Sequence, residues 1–159
     1  PANTFGYLFK PDDQSACLKR IHDHLLPNGT LVIEELHLSP ERLVQMANQR
    51  GVEWTWESRL NPQTGKYTMF KGCIRWIDTE SQTITRTTWI DEVQEDGSIK
   101  RFLPGSGYFG NRNHYFTKNE LVLLIEKYGF TVKEVWGNFA RQPFVRQSSS
   151  MIVVAEVEG

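Results

Sequence analysis

The chain has 159 residues, of which 39% are hydrophobic and 23% charged, and its 18 Lys and Arg nearly balance 19 Asp and Glu for a formal net charge of −1. That is one domain's worth of sequence with enough apolar material for a core, and the balanced charge gives no broad attraction to nucleic acid. No apolar run long enough for a membrane helix and no secretory pattern appears in it, so no membrane role is expected. Two cysteines far apart, Cys17 and Cys73, suit a reducing compartment better than a disulfide framework, so a cytoplasmic location is expected.

The chain opens on Asn3-Thr4-Phe5-Gly6-Tyr7, a loop, followed by a helical pattern over Asp13 to Leu26. Asp12 and Asp13 suit its start, where negative charge is favoured, and Ala16, Leu18, Ile21, Leu25 and Leu26 recur at helical spacing. Leu25-Leu26-Pro27-Asn28-Gly29 ends it, with Gly29 expected to take a left-handed conformation. Thr30 to Leu36 reads as a short strand whose apolar, β-branched start suits a buried parallel sheet. Loop, helix, turn and strand together form the second half of a βαβ unit whose first strand is expected before Pro1. Ser39-Pro40 then caps and starts another helix.

The middle changes period. Val52 to Leu60 and Tyr67 to Ile77 alternate apolar and polar residues around the turn Asn61-Pro62-Gln63-Thr64-Gly65-Lys66. Thr83 to Val93 follows a second turn, and Glu95-Asp96-Gly97-Ser98 leads into Ile99 to Leu103. The spacing predicts a meander of three or four antiparallel strands carrying four of the five tryptophans, Trp54, Trp56, Trp76 and Trp89. Arg75, Arg86 and Arg101 lie among them. They suit either an anionic or aromatic ligand or ordinary cross-strand pairing, which is the preferred reading. Gly105-Ser106-Gly107-Tyr108-Phe109-Gly110 fits a dinucleotide fingerprint by spacing alone. It lacks a preceding parallel strand and a following helix, so it reads as a loop. Thr117 caps the last helix, Lys118 to Tyr128, with Glu120 completing a capping box and Gly129 closing it. Strands at Thr131 to Asn138 and Ser149 to Val157, joined by a loop, are expected to pair antiparallel.

Taken in this order, the elements resemble the C-terminal half of a class I S-adenosylmethionine-dependent methyltransferase. Asn3-Thr4-Phe5-Gly6-Tyr7 resembles that family's loop after the fourth strand, and Leu25-Leu26-Pro27-Asn28-Gly29 its turn before the fifth, with Asn28 in place of a Gly. Phe116-Thr117 to Leu121, Tyr128 to Val132 and Ser148 to Val157 resemble its last helix and last two strands. The resemblance covers about two thirds of the chain in two blocks. It implies an α/β fold: a partial Rossmann-like methyltransferase sheet over residues 1–50 and 104–159, with an inserted antiparallel β meander, 51–103, as substrate cover. It implies S-adenosylmethionine as cofactor and a small-molecule substrate. The glycine-rich cofactor loop and the acidic ribose ligand of the family would both precede Pro1. The chain is therefore expected to be a fragment, inactive alone, that forms a homodimer or pairs with the missing N-terminal half.

Candidate site residues follow. The resemblance places Asn3 and Phe5 at the cofactor and Tyr7 at the substrate; the plain alternative is that Phe5 and Tyr7 pack beneath the first helix. Glu35 and His37 share one face of an extended segment, Glu35 as a substrate-binding group and His37 as a catalytic one; either suits a general base, or a solvated strand end. His114 stands roughly where the family often carries an Arg directed at the acceptor, and is the second catalytic candidate, with Tyr115 closing the pocket. His22 and His24 point in different directions on their helix and are not expected to bind metal. A non-catalytic alternative remains: an α/β layer supporting an aromatic-rich sheet that binds an apolar or aromatic ligand.

Overall fold

The computed structural model describes residues 3–102 and 110–157, with side chains of 110 and 111 excepted. Among these lie a 3-10 turn, three α-helices and eight strands. The chain divides into two compact units, Pro1–Leu43 with Asn113–Gly159, and Val44–Arg112.

The first unit contains the turn Phe5–Tyr7, helix α1 (Pro11–His24), strand β1 (Thr30–Leu36), helix α3 (Lys118–Lys127) and strands β7 (Phe130–Trp136) and β8 (Ser150–Val157). Its sheet has the order β1-β8-β7, with both pairings antiparallel. β1 and β7 therefore run the same way on either side of a reversed last strand. Leu31 and Ile33 of β1, Phe130 of β7 and Met151, Val153 and Ala155 of β8 share the core with Leu18 of α1 and Leu121 and Ile125 of α3. That periodicity, three or four apart on the helices and two apart on the strands, is what buries one face of each.

Helix α1 begins earlier than the acidic pair suggests. Pro11 occupies the first turn after Lys10, and Asp12 and Asp13 sit inside that turn, where they complement the helix dipole. The expected role of Gly29 is also corrected. Asn28 takes the left-handed conformation, φ 62°, which Asn tolerates, whereas Gly29 is needed for space: a Cβ there would stand 2.7 Å from the Leu26 carbonyl oxygen. Ser39 does cap helix α2 (Pro40–Asn48), its Oγ accepting from the Arg42 N–H at 3.3 Å.

The second unit is the meander: β2 (Trp54–Leu60), β3 (Tyr67–Asp78), β4 (Thr83–Val93) and β5 (Ile99–Phe102), in that order and antiparallel throughout. A further strand, β6 (Gly110–His114), pairs with β4. It was not expected, because Gly-Asn-Arg-Asn-His carries no β-branched or alternating apolar residue. The fingerprint-like Gly105 to Gly110 segment falls mostly outside the described residues.

Arg101 of β5 lies directly across from Asp91 of β4. It donates through Nε and Nη2 to the Asp91 carboxylate at 2.9 and 3.0 Å, and its guanidinium lies 4.7 Å from the Trp89 ring centre. Lys71 approaches the same fully buried carboxylate at 3.4 Å. Arg75 donates to the Thr87 hydroxyl at 3.1 Å. Two of the three meander arginines thus serve cross-strand pairing, and Arg101 holds the Asp91 carboxyl below its ordinary range.

Candidate active site

Three of the sequence candidates, Phe5, Glu35 and His114, meet at Gly6 in the first unit, with Tyr115 following His114 in the chain. β1 places Leu31, Ile33 and Glu35 on its buried face, because they are two apart. Glu35 is 2% exposed, and its Oε1 accepts from the Gly6 N–H at 2.8 Å. Gly6 has no room for a side chain: a Cβ would stand 2.6 Å from the His114 carbonyl oxygen and 3.0 Å from Glu35 Oε2. The turn is thus wedged between the strand end and the backbone leading into α3.

Aromatic rings surround this contact. Phe5 stacks on Phe116 with ring centres 5.4 Å apart, and the His114 ring meets Phe116 edge-on at 4.4 Å. Tyr115 and His114 are both mostly buried. His114 Nε2 lies 3.3 Å from Glu120 Oε1, while Glu120 Oε2 accepts from the Thr117 N–H at 3.1 Å. One carboxylate therefore serves both the imidazole and the helix cap. Burial pushes the Glu35 carboxyl up to about 7; the Gly6 amide pulls it back down, Glu34 pushes it further up, and His114 opposes that.

His37 belongs to a separate cluster, just past the end of β1. Its Nε2 lies 3.2 Å from the Arg146 carbonyl oxygen. A carbonyl only accepts, so Nε2 carries the proton. Nδ1 is then a buried lone pair with no partner among the described residues. Burial holds this imidazole below its ordinary pKa, so it is neutral at pH 7. Phe144 packs edge-on against it at 4.7 Å.

Asn3 sits beside the free edge of β1, its N–H donating to the Glu34 carbonyl at 3.1 Å. Its backbone is left-handed, φ 54°, and its Oδ1 is a second buried acceptor without a partner among the described residues. Tyr7, by contrast, is 45% exposed. An apolar groove of about 650 Å³ runs along this edge, lined by Phe5, Leu8, Cys17, Ile21, Leu31 and Ile33 among others. Its size falls in the ligand-pocket range. Neither the groove nor Asp91 was singled out in the sequence. Both arise from residues distant in the chain, although the opposition of Asp91 and Arg101 follows once the β4–β5 register is fixed. Among the described residues no cluster of side chains could hold a metal ion, and no helix is long and apolar enough to cross a membrane.

Solved structures share this fold. The chain superposes on the CcbJ methyltransferase from Streptomyces caelestis with TM-score 0.71 and 23% identity, covering 98% of this chain and 58% of that one. An S-adenosylmethionine-dependent methyltransferase from Clostridium acetobutylicum gives TM-score 0.71 at 10% identity, covering 99% and 56%. The S-adenosylmethionine-bound structure of CalS10, an amino pentose methyltransferase from Micromonospora echinaspora involved in calicheamicin biosynthesis, gives 0.64 at 17%, covering 97% and 54%. The fold is thus that of S-adenosylmethionine-dependent methyltransferases, and the chain spans a little over half the length of these structures. No protein-family model matches the sequence, and no curated protein does.

Proposed function

We propose that this chain is the substrate-side part of an S-adenosylmethionine-dependent methyltransferase acting on a small molecule, completed by an N-terminal half that carries the glycine-rich cofactor loop. The observation that carries the reading is the sheet order β1-β8-β7 with its reversed last strand, together with the wedged Phe5–Gly6–Tyr7 turn beside the carboxyl end of β1. Ligands of open α/β sheets bind at the carboxyl ends of their strands. The free edge of β1 and its apolar groove suit a further parallel strand. The chain's share of the solved structures supports the same incompleteness.

The residues present fit part of the cofactor. Asn3 Oδ1, buried and without a partner among the described residues, is an acceptor for its ammonium group, and Phe5 offers an apolar wall. The cofactor when bound supplies an electrophilic sulfonium methyl, and the chain's own work is alignment of the acceptor and removal of its proton. We assign His37 Nδ1 the proton-accepting role, since it is neutral and its lone pair is free of partners among the described residues. His114, in the separate cluster at Gly6, is retained as the second catalytic candidate, with Tyr7 and Tyr115 as substrate-binding residues. Residues 51–103 take the cover role by their place in the chain, between the strand and the helix that bear the site.

Calorimetric titration tests this. S-adenosylmethionine should not bind the isolated chain at low micromolar concentration, and should bind once an N-terminal half with the glycine-rich turn is joined to it. Tight binding by the isolated chain, or none by the joined protein, overturns the reading.

A further inference from the structure

We infer that Glu35 is a positioning residue: its carboxylate grips the Gly6 amide and sets the depth of the Phe5–Tyr7 turn against the His114 backbone. The inference rests on the methyltransferase reading only for what the turn then does, namely to wall the cofactor and the acceptor.

Four observations carry it. Glu35 continues the buried face of Leu31 and Ile33, a position where an aliphatic side chain would be buried at lower cost. The carboxylate that stands there is 2% exposed and spends Oε1 on a backbone amide of the turn at 2.8 Å. On its other side Gly6 is closed in by the His114 carbonyl, which leaves no space for even a methyl group. The turn's own ring, Phe5, is then fixed by stacking on Phe116. A charged acceptor roughly doubles the strength of an amide hydrogen bond, so the grip is tighter when Glu35 is ionised. The titratable groups facing it are Glu34 on its own strand and His114 from the end of β6, whose Nε2 lies 3.3 Å from Glu120 of α3. Burial brings its titration to about pH 7, so the grip changes within the neutral range.

The role differs from that of a substrate ligand or base, because Glu35 acts through the turn. Proton–nitrogen NMR of the full chain without cofactor tests it. In the wild type the Gly6 amide proton should shift with pH, with its inflection near 7. In E35Q, whose amide oxygen still accepts but carries no charge, the resonance should stay hydrogen-bonded and stop titrating. In E35A it should move toward its unbonded position and exchange with solvent about tenfold faster. An E35A resonance and exchange rate equal to the wild type overturn the inference, as does an inflection that persists in E35Q. Failure of S-adenosylmethionine to bind the joined protein while the Gly6 signature behaves as stated would count against the proposed function and leave Glu35's role intact.

Discussion

Gly6 is closed in by the His114 carbonyl and the Glu35 carboxylate, and a single methyl group reports on it. G6A would press a Cβ to 2.6 Å from the main-chain oxygen of His114, at the end of β6. Overpacking of this kind costs about 1–3 kcal/mol, to be read as a lower midpoint in chemical denaturation. Glu35 adds a pH dependence of definite sign. Its folded pKa, about 7, lies above the unfolded value, so the folded chain binds more protons across that interval. Stability from this group is complete below the unfolded pKa and is lost as pH rises through 7, by roughly 3 kcal/mol at most. E35Q should remove this slope and be the more stable form at pH 8; a wild-type slope that survives in E35Q refutes the assignment. For His37, replacement by Gln removes the Nδ1 lone pair while keeping a donor for the Arg146 carbonyl. Turnover of the joined enzyme should fall about 10²- to 10⁴-fold with little change in melting.

At the level of elements, two devices fix local structure. The Thr117–Glu120 capping box starts α3, with the Glu120 N–H donating to Thr117 Oγ1 at 3.3 Å. T117A should cost about 1 kcal/mol, measured by thermal unfolding. The Asp91–Arg101 pair fixes β5 on β4. D91A leaves Lys71 and Arg101 with the half-exposed Glu53 as their remaining carboxylate partner, at a cost of about 3 kcal/mol, the low end for breaking a buried pair because the Arg101 side chain is 46% exposed. The capping box was legible because its residues are three apart in one segment, and the meander strands because their turns are polar and regular. Asn28 and Gly29 exchanged roles because both tolerate what a tight turn asks, and only the surrounding backbone decides which supplies φ and which supplies space. β6 escaped because its pairing with β4, and not its own side chains, makes it a strand. Of the site, the loop and strand-end positions were legible from chain order. The wedge at Gly6 and the hidden lone pair of His37 were not, since each depends on a carbonyl contributed from far along the chain.

For the molecule as a whole, the decisive surface is the edge of β1 facing away from β8. Val32 on that strand is 54% exposed, and a long apolar edge invites pairing with another chain. The isolated chain should therefore self-associate in sedimentation equilibrium, and V32K, which sets a charge on the edge, should shift it toward monomer. A wild-type monomer at high concentration contradicts this. The register of the first sheet also has a consequence for how the protein is made. Thr30 pairs with Glu156 and Leu36 with Ser150, so β1 leaves the ribosome well before β8 and must wait for it before that side is closed. The meander, joined by short turns, has no such wait and can fold first. During that interval the β8 side of β1 is unpaired, and its temporary protection falls to chaperones or to whatever strand reaches it first.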